Sequence, residues 1–246
     1  MAKQFSRLPI LQRSAEALGL TLTDTQLMQL AHLAQMLIDG SKRANLTAIT
    51  DWDGVEARHL LDSLTLVACI SEPGLTRAQS LVDIGSGAGF PGLPLAIVLP
   101  HLDVTLVEAT GKKVAFAARA IEALELENAR AVHVRAEEAG RDPAYREHFD
   151  LAAVRAVGSL AADIELAAPL LRLGGRAFIM KKLGDSGSEV AAVGSMLETL
   201  GCVVEKVADV SLPEVLPERA VVVVRKRAPT APGYPRRPGL AQRRHR

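Results

Sequence analysis

Between residues 24 and 40 the apolar positions are Leu27, Leu30, Ala31, Leu33, Ala34, Leu37 and Ile38. Their i, i+3, i+4, i+7 rhythm predicts one buried face of a helix. Thr23 and Asp24 supply a cap, and Gly40 predicts the end. A second helix is predicted over 53–70, with Val55, Leu60, Leu61, Leu64 and Val67 on one side. Residues 71–79 hold Pro, Gly and Ser and read as a linker. From residue 80 the rhythm changes. Short apolar runs at 80–84, 103–109, 129–136, 149–156, 175–182, 202–210 and 219–226 predict strands. Helical stretches at 91–99, 111–125, 158–172 and 187–200 fall between them. Continuous Val/Leu/Ile strands alternating with helices predict a parallel sheet covered on both faces. The connector 211–218 is too short for a helical crossover, so the last two strands are predicted antiparallel.

This pattern divides the 246 residues into a helical cap (1–75), an α/β domain (76–227) and a tail (228–246). Hydrophobic residues make up 48% and charged residues 23%, the balance of a chain with a proper core. The start lacks the apolar core and cleavage site of a signal peptide, and no run of 18 apolar residues occurs. The cytoplasm is the predicted compartment, with no membrane partner. Cys69 and Cys202 form neither a metal cluster nor a disulfide framework, so no metal is expected. The net charge of +1 conceals an asymmetry. Eight basic residues lie from Arg225 onward with no acid among them, against 21 basic and 28 acidic residues before. A Pro-, Gly- and Arg-rich end of this kind reads as a disordered arm, either attracting nucleic acid or simply solvated.

The first strand of the α/β region runs into Asp83-Ile-Gly85-Ser-Gly87-Ala-Gly89-Phe90-Pro91-Gly92. Gly87 to Gly92 matches the dinucleotide turn G-x-G-x-x-G, which keeps an NAD(P)-dependent oxidoreductase in view. Three features favour another nucleoside cofactor. Phe90-Pro91 fills the entrance that a pyrophosphate needs. Asp83 gives D-x-G-x-G-x-G, the first motif of S-adenosylmethionine-dependent methyltransferases. The sheet ends in an antiparallel strand, as it does in the methyltransferase variant of this fold. Glu108 closes the next strand and suits ribose hydroxyls, which both cofactors possess. The predicted fold is therefore a Rossmann-like class I methyltransferase: seven strands, mostly parallel, the last antiparallel, with an N-terminal helical extension.

The segments 82–100, 107–138, Asn45-Leu-Thr-Ala-Ile49 and Arg58-His-Leu-Leu-Asp-Ser-Leu64 resemble the ribosomal RNA small subunit methyltransferase G family, also called glucose-inhibited division protein B. The resemblance runs from about residue 20 to 226. It implies methyl transfer from S-adenosylmethionine to N7 of a guanine in the 16S rRNA of the small ribosomal subunit. N7 carries a lone pair and no proton, so the reaction needs positioning rather than a general base. No Asn-Pro-Pro-Tyr or Pro-Cys motif, the marks of amine and pyrimidine-carbon methylation, stands in the sequence.

The resemblance also assigns residues. Gly85, Gly87 and Phe90 match the cofactor loop, Glu108 the ribose acid, and Ala136 and Glu137 the adenine contacts. Arg155 ends the fourth strand as Val-Arg-Ala, where the family shows Ser-Arg-Ala. It is the expected positioning residue, toward the methionine carboxylate, guanine O6 or a phosphate. His59 and Asp62 share a helix face and either reach substrate or pair on the surface. Lys112, Lys113 and the Lys181-Lys182 pair either meet rRNA phosphates or are solvated. Phe90, Trp52 and Tyr145 are the candidate stacking platforms. The chain is expected to act as a monomer, and a non-catalytic rRNA-binding assembly factor remains the alternative.

Overall fold

A computed structural model describes residues 7–71 and 79–237. Its centre is a seven-stranded sheet in the order β3-β2-β1-β4-β5-β7-β6. The strands are β1 Ser80–Ile84, β2 Asp103–Glu108, β3 Ala129–His133, β4 Phe149–Arg155, β5 Leu171–Lys182, β6 Cys202–Asp209 and β7 Arg219–Lys226. β1 to β5 pair in parallel, and β7 lies antiparallel between β5 and β6. The expected antiparallel ending is present, with the last strand inserted rather than placed at the edge. The Val221–Val224 run is buried on both faces, as an inserted strand requires. β6, at the edge, alternates half-buried and exposed positions after Cys202 and carries Glu205 and Lys206, charges that discourage further pairing.

Alternate residues feed two apolar layers. Leu81, Leu106, Leu151, Ala153, Phe178 and Val221 face the N-terminal helices, α6 (Gly92–Val98) and α7 (Gly111–Ala123). Val82, Ile84, Val107, Ala152, Val154 and Val222 face α9 (Leu160–Ala167) and α11 (Gly194–Thr199). The N-terminal helices α1 (Pro9–Ala15) and α2 (Asp24–Ala44) thus share a continuous core with the sheet.

Four expectations need correction. α2 does not stop at Gly40 but runs to Ala44, with Asn45 left-handed at φ 47° as its cap. Gly40 serves contact instead, because a Cβ there would lie 2.9 Å from Leu46 and 3.1 Å from Phe116. The predicted helix 53–70 breaks into α3 (Trp52–Val55), a π-helical turn Glu56–Leu61, α4 (Asp62–Leu64) and α5 (Val67–Ile70). The helices expected at 158–172 and 187–200 shift: β5 already begins at Leu171, and α10 (Leu183–Ala192) precedes α11. Finally, residues 228–237 do not form a free arm. Arg141 and Arg146 donate to the carbonyls of Thr230, Tyr234 and Pro235, and Arg236 pairs with the buried Glu165. Residues 238–246 lie outside the described residues.

Candidate active site

In a sheet of this kind the strand order reverses between β1 and β4, and ligands bind beyond the carboxyl ends of the strands at that point. The glycine loop leaves the end of β1, and Arg155 is the end of β4. The loop is held from below. Gly85 and Ser86 N–H donate to Val107 O at 2.9 and 3.2 Å. Asp83 Oδ2 accepts from Gly92 N–H at 2.7 Å and so ties the strand to the start of α6. Its other oxygen is buried without a partner among the described residues, and burial pushes the carboxyl up to about 7, against the Gly92 bond and the Arg155 charge.

Glu108 bridges two loops. Its Oε2 accepts from Gly87 N–H at 2.9 Å and its Oε1 from Thr110 N–H at 2.7 Å. Each oxygen keeps a second lone pair for a ligand hydroxyl. Gly87 stands at φ 58°, and nothing lies within 4 Å of the position a Cβ would take. The loop therefore leaves room beside the carboxylate, a cradle that fits a nucleoside with ribose hydroxyls. Ala136 and Glu137 open α8 (Ala136–Ala139), shortly after β3, which pairs with β2 at Glu108↔His133. The expected cofactor residues thus gather on the loops after β1, β2 and β3.

Arg155 is fixed from several sides. Its Nη1 donates to Asp62 Oδ2 and to Arg58 O, both at 3.2 Å. Its Nη2 meets His59 Nδ1 at 3.3 Å, and its guanidinium lies 5.8 Å from the centre of the Phe90 ring. The π-helical turn creates part of this arrangement. In an α-helix Asp62 N–H would bond the Arg58 carbonyl; here it bonds Ala57 O. The Arg58 carbonyl is left able to receive Arg155. Such turns recur at functional sites.

The tautomer of His59 follows from its neighbours. Arg155 can only donate, so Nδ1 accepts and the proton sits on Nε2. Nε2–H then donates to Thr47 Oγ1 at 2.9 Å. Burial, with the charges of Arg155 and Arg58, pushes the imidazole down to about 4, so it is neutral at physiological pH. Its ring lies 5.0 Å from that of Phe90. Asp62 also receives Arg219, whose Nε donates to Oδ1 at 2.9 Å. One carboxylate therefore holds two arginines. Sequence reasoning missed Arg219, which lies 157 residues from Asp62 and carried no motif.

A cleft of about 750 Å³ opens over this cluster, lined among others by Arg58, His59, Asp62, Arg155, Lys182 and Arg219. Lys181 lines it too, but not as a free cation. Its ammonium lies 2.8 Å from Asp163 and donates to Gly158 O at 2.7 Å, so it is paired within the protein rather than freely solvated. His59 is likewise turned inward, with both ring nitrogens engaged. Lys112 and Lys113 begin α7 and do not line this cleft. Neither do Trp52, whose Nε1 donates to Arg7 O, or Tyr145, which packs on the α9 side of the sheet. No helix is long and apolar enough to cross a membrane among the described residues.

Comparison with known proteins agrees with this geometry. The profile of the family described as rRNA small subunit methyltransferase G matches residues 26–214. The Ribosomal RNA small subunit methyltransferase G of Roseiflexus sp. (strain RS-1) is 44% identical over 235 residues, covering 96% of this chain and 98% of the relative. That of Chloroflexus aggregans (strain MD-66 / DSM 9485) is 43% identical, covering 96% of both. Among solved structures, the mitomycin 7-O-methyltransferase MmcR superposes with a TM-score of 0.56 at 16% identity, over 82% of this chain and 67% of that one. StiE O-MT follows with a TM-score of 0.52 at 13% identity, over 68% and 75%. At those identities the structural likeness shows the fold alone, while the sequence matches span the helical region and the sheet together. The chain belongs to the rRNA small subunit methyltransferase G family.

Proposed function

We propose that this chain transfers a methyl group from S-adenosylmethionine to N7 of a guanine in the 16S rRNA, acting in the cytoplasm as a monomer on the small ribosomal subunit or its rRNA. The observation that carries this reading is a fixed Arg155 at the cleft whose titratable partners, His59 and Asp62, are both engaged within the protein. His59 is neutral, but both its nitrogens are engaged, and Asp62 is held by two arginines. A nucleophile that already bears a free lone pair suits such a site, and orientation then carries the rate.

Gly85, Gly87 and Glu108 would hold the cofactor at the ends of β1 and β2, with Ala136 and Glu137 on the adenine side. S-adenosylmethionine, when bound, supplies an electrophilic sulfonium methyl. Arg155 lines the cleft beside the buried Phe90 of the glycine loop and is a positioning residue with no capacity to take a proton. The reading is tested by mass spectrometry of 16S rRNA from cells lacking the chain. Loss of one 7-methylguanosine, restored by re-expression, is expected; an unchanged 7-methylguanosine content contradicts it. Equilibrium dialysis separates the alternatives. Binding of NAD(P) without S-adenosylmethionine would indicate an oxidoreductase, and binding of neither an assembly factor.

A further inference from the structure

Residues 230–236 cross between two helices that flank the candidate site. At one end Thr230 is anchored: its N–H donates to Glu147 Oε1 at 3.1 Å and its hydroxyl to Leu200 O at 3.1 Å. Lys226, fully buried, donates to Thr230 Oγ1 and to Ala168 O just past α9. In the middle, Arg146 donates to Thr230 O and Tyr234 O and also to Gly140 O, the residue that caps α8. Arg141 grips Pro235 O through two N–H groups, at 2.7 and 3.0 Å. Pro235 lies so close that a Cβ on Gly140 would fall 2.9 Å from its ring. At the far end Arg236 meets Glu165 of α9 in a fork, Nε and Nη2 at 3.0 and 2.8 Å, and adds its backbone N–H at 2.8 Å. Glu165 is completely buried.

The same two helices support the site. α8 begins at Ala136 and Glu137. α9 begins just past Gly158, whose carbonyl receives Lys181, and its Asp163 neutralises that lysine at the cleft. Glu189 reaches from α10 to Leu160 N–H at the first turn of α9. The segment therefore ties the helix on the adenine side to the helix on the substrate side, at the ends remote from the ligands.

We infer that residues 230–236 are a strap that positions the cofactor pocket by fixing α8 against α9, with Arg236 on Glu165 as its lock. This inference rests on the proposed cofactor site. Positioning of this kind is a coupling free energy, so it works in both directions: a taut strap favours the ligand, and the ligand tightens the strap. Arg141, Arg146 and Arg236 act through α8 and α9 and are positioning residues.

The test uses the full chain and S-adenosylhomocysteine as probe. Affinity is measured by calorimetry well below the unfolding midpoint of each variant, with amide exchange followed at Thr230 and Arg236. Addition of the probe is expected to slow exchange at both amides in the wild type. Arg236→Ala is expected to weaken probe binding about tenfold and Arg141→Ala about threefold, within the usual range of such couplings. Arg141→Ala leaves no buried charge unpaired, so it remains informative if Arg236→Ala fails to fold. A lower midpoint with unchanged affinity and unchanged strap exchange would reduce the strap to a stabilising clamp and overturn the inference. Failure of the wild-type chain to bind the probe at all would instead overturn the proposed cofactor site, and the strap's role with it.

Discussion

Asp62 and Glu165 are both buried carboxylates that gather arginines, and they do so differently. Asp62 holds two, Arg155 and Arg219, whose side chains are 15% and 29% exposed toward a cleft. Glu165 receives Arg236 in a fork and is itself 0% exposed. The first cluster carries a surplus positive charge at a wall that a polyanion can approach. The second is closed, its carboxylate fully buried. A buried pair of this kind serves to fix two segments, because removing one partner weakens the hold on a charge in low dielectric. Two arginines on one carboxylate leave a net positive charge at the cleft.

Four substitutions test this contrast. Arg155→Ala is expected to lower methyl transfer roughly 10²–10³-fold, the range seen when a preorganised donor is removed, with circular dichroism unchanged. Arg236→Ala is expected to cost about 3 kcal/mol of stability in urea titration, because the fully buried Glu165 would lose the guanidinium fork that Arg236 gives it.

His59→Gln addresses pH. The folded imidazole is depressed to about 4 against an ordinary value of 6.5. The unfolded chain therefore binds more protons between these values, and the contribution of His59 to stability is full above about pH 6.5 and lost as pH falls toward 4. The variant, which keeps an acceptor for Arg155 and a donor for Thr47, is expected to show about 1–2 kcal/mol less acid destabilisation over that window, allowing for partial exposure. Denaturant melts at pH 7 and pH 4.5 measure the difference. Arg172→Ala, which removes a half-exposed partner of Asp150 at the opposite end of the sheet, is expected to cost under about 1 kcal/mol and to leave methyl transfer untouched.

The strands and the glycine loop were legible because their signals are local. Val221–Val224 can be little else than a strand buried on both faces, and Asp83 with the glycines defines a loop of known use. Glu108 and Arg155 were legible as the ends of such strands. What the sequence concealed depends on partners far along the chain. Lys181 reads as a surface cation until Asp163 is found 2.8 Å away. Arg225, Lys226 and Arg236 count as a basic tail, yet they pair with Glu205, Glu147 and Glu165. Composition placed 228–237 with disordered segments, because pairs that anchor Pro-rich chain have no sequence period. The π-helical turn was invisible for another reason. Its residues Glu56–Leu61 keep a helical apolar pattern, and only the hydrogen-bond register reveals the shift that turns the Arg58 carbonyl to Arg155.

The central claim is that the site positions a guanine N7 and needs no base. It is tested most directly by single-turnover methyl transfer with labelled S-adenosylmethionine, on small subunits from cells lacking the chain, across about pH 6 to 8, with the product digested to nucleosides. The account predicts label in 7-methylguanosine alone and a rate that does not follow pH, since no group of the site must lose a proton for attack. Label in another nucleoside, or a rate that rises tenfold per pH unit, would contradict it.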